Sequence, residues 1–351
     1  MKNWQSDVSS PLVSICCATY NHKDYIAAAI DGFLMQDTEF PFEILIHDDA
    51  SDDGTTEIVE AYARSYPRII RTIIQKHNQY VRSPVIVPRF LFPLVRGKYI
   101  AICEGDDHWL SPDKLTRQCG ALDRNPLVDL SFHPVLKLGK SGNTSGTNVK
   151  GRTTQERIDR RRIILGGGGF CPTPSIVLRS SLIPSITSCV AEAPVGDKFI
   201  QIVASLSQGA MFDPNTMAVY RTEHQGSWSQ RINDGDMLRR YEERIEFPYK
   251  WLYSNCDESL QGIVRFSEAD QYVAIGKKYS QIGDYKSAGR VLMKSAAIWS
   301  PKRPFSWLVR WAARGPVRTK VYLALYPVVR TVHRYSNLYG NRLGRGQAVI
   351  L

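Results

Sequence analysis

Seven acidic residues in two short clusters are the parts of this 351-residue chain best equipped for chemistry. The first cluster, Asp48–Asp49–Ala50–Ser51–Asp52–Asp53–Gly54–Thr55, follows the apolar stretch Phe42–His47. The second, Glu104–Gly105–Asp106–Asp107, follows Lys98–Cys103 and leads into His108, Trp109 and Leu110. Three carboxylates within four residues repel one another unless a cation or hydrogen-bond donors compensate. Mg²⁺ and Mn²⁺ prefer oxygen ligands, and Mg²⁺ is typically held by one or two carboxylates together with substrate phosphates. A metal on a diphosphate offsets the charge that grows there as the group leaves. In the first cluster, Asp52 or Asp53 is expected to cap the following helix, where acidic side chains also suit the helix dipole. Asp48 and Asp49 come earlier, at the mouth of the strand. There a carboxylate can accept a hydrogen bond from a pyrimidine N–H or a ribose hydroxyl.

The pattern around these clusters shows what must position them. Residues 12–18 (LVSICCA) form a continuous apolar, β-rich run, as in a strand buried on both faces. Helical spacing over Asp24–Gln36 places Ile26, Ile30, Phe33 and Leu34 on one stripe. Strands are expected at Phe42–His47, Ile69–Gln75 and Lys98–Cys103, with helices at about Gly54–Arg64 and near Pro84–Val95. Such alternation with short connections predicts βαβ units and a mainly parallel sheet. Ligands in open α/β sheets bind beyond the carboxyl ends of the strands. Three polar clusters fall at such ends: Thr19–His22, Asp48–Asp49 and Glu104–Asp107. Beyond them come a polar Gly/Ser/Thr-rich loop at 139–155, the glycine run Gly166–Gly169 and a strand at Ser175–Leu178. The chain turns helical from about residue 240, and Tyr272–Pro301 is spaced like one tetratricopeptide-type hairpin. One copy is too few for a solenoid, so a helical pair packed on the main domain is the plainer expectation. The division expected is 1–235 for the α/β domain and 236–351 for a helical region with a basic amphipathic tail.

The two clusters, together with Ala18–Thr19–Tyr20–Asn21–His22, resemble the family 2 glycosyltransferases of the GT-A fold over roughly residues 12–230. The Tyr20–Asn21 pair, the DDxSxDGT pattern of Asp48–Thr55 and the variant DxD of Glu104–Asp107 carry the likeness. That resemblance implies a nucleoside-diphosphate sugar as donor, of UDP type, and a divalent metal, Mn²⁺ or Mg²⁺. It implies that Tyr20 and Asn21 line the nucleotide, with Tyr20 against the base and Asp49 binding it. Asp106 would contact the ribose or diphosphate and Asp107 would ligate the metal. At 76–97 the chain departs from the family, and Lys76, Asn78 or Arg82 takes on base or phosphate binding. An inverting transfer needs a general base to deprotonate the acceptor hydroxyl. The matching segment is Ala193–Ile202, which makes Asp197 the candidate. The alternative role for Asp197 is helix capping, and the two roles could be divided between Glu192 and Asp197. Val219–Trp228 resembles a Tyr-Arg-x-x-His segment of bacterial members. It offers Arg221 or His224 to the diphosphate, or His224 as a further metal ligand, and Trp228 to an acceptor sugar or the core.

Charge and composition restrict the remaining classes. The net charge is +11, but residues 301–351 hold ten Lys or Arg and no Asp or Glu, which leaves about +1 for the rest. Residues 303–334 interleave those cations with Trp307, Trp311, Tyr322 and Tyr326. A basic helix bearing Trp suits an anionic membrane surface, and equally one packed on the domain with its cations in water. No nucleic-acid motif accompanies the charge, and none of that partner class is expected. The seven cysteines show no metal or disulfide spacing, which predicts a reducing compartment. No apolar leader opens the sequence and no run of about 18 apolar residues occurs. The expected location is the cytoplasm, with contact at the inner face of the membrane. The acceptor class expected is a glycan or lipid-linked hydroxyl in bacterial polysaccharide synthesis. Two alternatives stay open. A nucleotidyltransferase lacks its Gly-rich phosphate loop here, and a carbohydrate-binding scaffold on a degenerate transferase fold would not need Asp49, Asp106, Asp107 and Asp197 together.

Overall fold

The computed structural model describes residues 9–139, 144–147, 153–222, 234–298, 306–313 and 315–339. The chain divides into two compact units, Met1–Ser227 and Trp228–Leu351.

The first unit opens with β1 (Val13–Thr19), α1 (Ile26–Leu34), β2 (Phe42–Asp48), α2 (Thr55–Ser65), β3 (Ile70–Ile74) and β4 (Tyr99–Ile102). It continues with β5 (His108–Trp109), α3 (Lys114–Arg124), β6 (Leu130–Phe132), β7 (Val135–Leu138), β8 (Thr144–Thr147), β9 (Glu156–Ile158) and α4 (Arg160–Gly166). It closes with β10 (Val177–Arg179), α5 (Ile183–Val190), α6 (Asp197–Ser205), β11 (Ala210–Phe212) and β12 (Ala218–Arg221). Eight strands form the main sheet in the order β3-β2-β1-β4-β10-β6-β11-β9. From β3 to β4 every pairing is parallel, with Thr19 beside Asp48 and Cys16 beside Ile102. β10 then runs antiparallel to both of its neighbours. A smaller sheet, β5-β12-β7-β8, stands beside it.

The parallel half is apolar for the reason its sequence suggests. Val13, Ile15, Cys16 and Cys17 of β1 and Ile44, Leu45 and Ile46 of β2 are all fully buried. α1 covers one face with Ile26, Ala29, Ile30 and Phe33, and Phe33 meets the Trp109 ring edge-on at 4.8 Å. Burying each such side chain stabilises the fold by about 1.5–3 kcal/mol. One polar pair sits among them. Ser14 donates to the buried Glu43 at 2.6 Å, and the Arg96 guanidinium closes on the same carboxylate at 2.7 Å. Burial works against the Glu43 charge, but the hydrogen bonds from Arg96 and Ser14 prevail and hold its carboxyl below the usual range.

Two local expectations need correction. The helix near Pro84–Val95 is instead a π turn, Val87–Leu91, followed by a 3₁₀ turn, Phe92–Leu94. Pro88 and Pro93 lack the N–H groups that a regular α-helix needs there. The strand expected at Ser175–Leu178 starts later, because Thr173–Ser175 forms a 3₁₀ turn around Pro174 and pairing covers only β10.

The second unit consists, among the described residues, of helices: α7 (Gly235–Arg244), α8 (Glu246–Asn255), α9 (Glu258–Gln281), α10 (Tyr285–Ile298), α11 (Ser306–Ala312) and α12 (Pro316–Tyr339). α9 and α10 make the expected hairpin, turned by Gly283 at a φ of 85°. Val273, Leu292, Ala296, Val309, Ala312 and Tyr322 form its apolar core, with Trp311 and Tyr326 packed against them. All seven cysteines are free thiols, six of them buried. No helix among the described residues is long and apolar enough to cross a membrane.

Candidate active site

The strand order reverses at β1, which has β2 on one side and β4 on the other, and the three polar clusters lie beyond these carboxyl ends. Backbone bonds lace them together. Asp49 N donates to Thr19 O at 3.0 Å, and Gly105 N donates to Ala18 O at 2.9 Å. Gly105 is needed for this approach, since a Cβ there would stand 2.6 Å from Thr19 Oγ1. Asn21 (φ 54°) and Ala50 (φ 64°) adopt left-handed backbone in these loops. For Ala50 that conformation costs on the order of 1 kcal/mol, a kind of strain that concentrates at functional loops.

Within the first cluster the carboxylates divide their work. Asp48 is fully buried and accepts from Ser51 Oγ and Thr56 Oγ1, so it ties the loop to α2. Asp49 is also buried, and its two oxygens accept the backbone N–H groups of Gln79 at 2.7 Å and Tyr80 at 2.9 Å. Asp52 braces Asn21, accepting from Asn21 Nδ2 at 2.8 Å and returning a backbone N–H to Asn21 Oδ1 at 3.0 Å. The capping expectation is half corrected. The residue before α2 is Gly54 at a φ of 104°. Asp53 nonetheless holds the first turn through Thr55 N at 2.9 Å and reaches Lys23 N at 3.0 Å.

The second cluster gathers into one site. One ligand oxygen each of Glu104, Asp106 and Asp107 lies within 4.8 Å of the others. Asp106 and Asp107 are buried and Glu104 is exposed. Asp107 Oδ1 accepts Arg221 N at 2.7 Å, while its buried Oδ2 accepts no hydrogen bond among the described residues. Burial, then repulsion by Asp106 and Glu104, pushes the Asp107 carboxyl well above the usual range, outweighing the Arg221 N–H and charge. A buried, unpartnered carboxylate oxygen beside two further acids is the donor set a hard divalent cation takes, so these residues fit one.

β12 brings a second set of groups to the same place. The Arg221 guanidinium lies 4.6 Å over the Tyr25 ring at the start of α1. The Tyr220 phenol is pushed far up by burial and then by the charges of Glu104, Asp107, Asp197 and Asp106. Asp197 begins α6, after Gly196, and accepts the neighbouring Lys198 N–H at 2.7 Å. It is open to solvent, yet the protein crowded around it desolvates its carboxyl and raises its pKa. A Cβ at Gly168 would lie 3.4 Å from Asp197 Oδ2, so the glycine run passes directly by this group.

Residues 14–183 match the model of glycosyl transferase family 2. This segment belongs to that family. A 222-residue stretch is 35% identical to an uncharacterized protein of Mycobacterium tuberculosis, covering 63% of this chain and 62% of that protein. The chain thus spans about three fifths of the length of that relative. A shorter stretch is 35% identical to an Escherichia coli protein over 28% of this chain and 37% of the other. That relative is named UDP-Glc:alpha-D-GlcNAc-diphosphoundecaprenol beta-1,3-glucosyltransferase. Among solved structures, a mannosyltransferase from Pyrobaculum calidifontis in complex with GDP-Man and Mn²⁺ aligns at a TM-score of 0.53 and 17% identity. The alignment covers 97% of this chain and 91% of that one. It shows the fold: GT-A, with a mainly parallel sheet flanked by helices and a helical C-terminal region.

The structure brings Glu104, Asp106 and Asp107 together, and places Asp197 at the start of α6 beside Gly168. Tyr20 is half-buried after β1, and Arg82 is exposed beyond the Asp49-bound loop. Glu192 is exposed in the turn before α6. His224 and Trp228 lie outside the described residues. Tyr220 and Tyr25 were not foreseen. Tyr220 lies on β12 between Val219 and Arg221, and the pairing of β12 with β5 brings this strand to the acidic turn, where Arg221 N reaches Asp107.

Proposed function

We propose that this chain is an inverting, metal-dependent glycosyltransferase. It moves a sugar from a nucleoside-diphosphate donor of the UDP type to a hydroxyl of a glycan or lipid-linked acceptor in bacterial polysaccharide synthesis. The supporting observation is that Glu104, Asp106 and Asp107 gather their carboxylate oxygens within 4.8 Å of one another at the end of β4, while Asp107 keeps a buried oxygen available. In this reading Asp107 holds the divalent ion, with Asp106 on the ribose or diphosphate. When bound, that ion neutralises charge on the departing diphosphate. Tyr20 and Asn21 line the nucleotide, Asp49 takes the base edge and Arg82 attends the phosphates. Asp197 accepts the proton of the acceptor hydroxyl as its oxygen bonds to the anomeric carbon. The carbon–oxygen bond to the diphosphate breaks on the opposite face, and the diphosphate leaves with the electron pair. The raised pKa makes Asp197 a stronger base than an ordinary Asp.

Two relatives support the substrate classes: one is named for a UDP-Glc donor and a lipid-diphosphate acceptor, the other was solved with GDP-Man and Mn²⁺. The free thiols suit a reducing compartment, and a lipid-linked acceptor would be met at the inner face of a membrane. Calorimetry with UDP, GDP and their sugar conjugates, with and without Mn²⁺, tests the reading. Mn²⁺-dependent binding that Asp107→Ala abolishes is expected, and Asp197→Asn should bind the donor but fail to transfer. Absence of nucleotide binding under every condition would favour a scaffold.

A further inference from the structure

Helix α12 has two unlike faces. Thr319 and Tyr322 are buried, and Tyr326 packs beside them with its hydroxyl on Asp270. On the other face Val317 is 73% exposed, Val321 44% and Leu325 54%. Their spacing of four residues puts them in one line along the helix. Arg318 and Lys320 are exposed on either side of that line. Their cationic groups are set against aromatic rings, Arg318 at 5.6 Å over Trp311 and Lys320 at 5.3 Å over Tyr285. This fixes the stems and leaves both charges at the surface. The line runs up to a shallow cavity of about 460 Å³, lined by Tyr285, Lys286, Arg290, Met293, Gly315 and Pro316. Met293 is itself 48% exposed there.

Part of the basic tail packs on the helical core and part stays exposed. Trp311 belongs to the packed core, and Arg330 is spent on Asp270 at 2.7 Å. The apolar line between Arg318 and Lys320 is left uncovered. We propose that this face of α12 seats on an anionic phospholipid bilayer. Val317, Val321 and Leu325 would enter the headgroup boundary, and Arg318, Lys320 and Lys286 would meet lipid phosphates. The choice of partner follows from charge: no Asp or Glu occurs in residues 301–351, so the surface complements a negative sheet. An apolar stripe bordered by cations is the pattern of helices that lie in the plane of the interface. The contact gives a lipid-linked acceptor its use, but needs neither donor nor transfer to occur.

Flotation of the full chain with phosphatidylglycerol-containing vesicles, without nucleotide or acceptor, tests the contact separately from the activity. Binding to these vesicles, weak binding to pure phosphatidylcholine and release by about 0.5 M salt are expected. Arg318→Glu with Lys320→Glu should weaken partition at least about tenfold, since each cation near such a surface contributes roughly fivefold. Val321→Glu with Leu325→Glu should do the same while the circular dichroism melt stays unchanged. No binding to anionic vesicles overturns the proposal. So does sedimentation that finds a dimer broken by Val321→Glu with Leu325→Glu, which would give the stripe to a second copy.

Discussion

The state of Asp107 is expensive for the fold. Its carboxylate is buried, faces two other acids and leaves one oxygen unpartnered. Asp107→Asn keeps an acceptor for the Arg221 N–H and removes the repulsion. Without metal the variant should melt no lower than the parent, since it keeps the hydrogen bond and removes the repulsion. It should also lose Mn²⁺ binding by calorimetry. A drop in melting temperature would contradict this account. In the proposed reading Asp197, as the base, sets the pH dependence of transfer. Its folded pKa is raised, so the neutral acid is favoured in the fold and the basic form is reached at a higher pH than for an ordinary Asp. Turnover should fall as pH drops through that raised pKa, and Asp197→Asn should cut transfer about 10²–10⁴-fold while leaving donor affinity near the parent value. Steady-state kinetics across pH checks both.

Elements set where these groups can be. Gly105→Ala would push a Cβ to 2.6 Å from Thr19 Oγ1, so the acidic turn or the end of β1 must shift. The expected loss is about 1–3 kcal/mol by chemical denaturation, with metal affinity falling as well. The Glu43 cluster is a second determinant. Its carboxyl pKa lies below the unfolded value, so its stabilisation is present above the unfolded pKa and is lost as pH falls through the folded one. Arg96→Ala should cost about 1–3 kcal/mol near neutral pH, less than for a fully buried pair because Arg96 is half exposed. That difference should shrink in melts below the folded pKa. At this scale the sequence was legible wherever one face repeats. β1, α1, β2, α2, β3 and β4 follow directly from apolar runs and helical stripes. It was not legible at Pro84–Val95, where two prolines turn an apolar stripe into π and 3₁₀ turns, nor for β10, whose antiparallel direction leaves no mark in composition. The clustering of Glu104, Asp106 and Asp107 was legible because three carboxylates within four residues after a strand cannot lie far apart. Tyr220 was not, because its relevance depends on which strand β12 pairs with.

For the molecule as a whole, each unit carries its own core and its own buried acid. In the helical unit Glu242 is buried, pairs with Arg290 and Lys294, and accepts from Tyr279 Oη at 3.1 Å. Burial opposes its charge, but the Arg290 hydrogen bonds and charge, helped by Lys294, hold its pKa down. Glu242→Ala should therefore lower the melting of the helical unit, with calorimetric scanning resolving it from the GT-A unit. Donor binding by the GT-A unit should survive that substitution at temperatures below the first transition. The strongly basic overall charge belongs to the second unit too, so salt should act on vesicle binding more than on donor binding.

The hold of Asp49 on Gln79 and Tyr80 has a kinetic consequence. In the proposed reading, a base that approaches the Asp49 oxygens along the directions now held by Gln79 and Tyr80 displaces two backbone N–H groups, so recognition there is an exchange of partners. The affinity observed is the intrinsic affinity scaled by the fraction of molecules in which segment 78–80 has let go. Stopped-flow mixing with a fluorescent nucleotide should then show a rate that levels off at high ligand concentration, set by release of the loop. Replacing Asp49 with Asn, which still accepts but carries no charge, should raise that plateau while weakening the final complex.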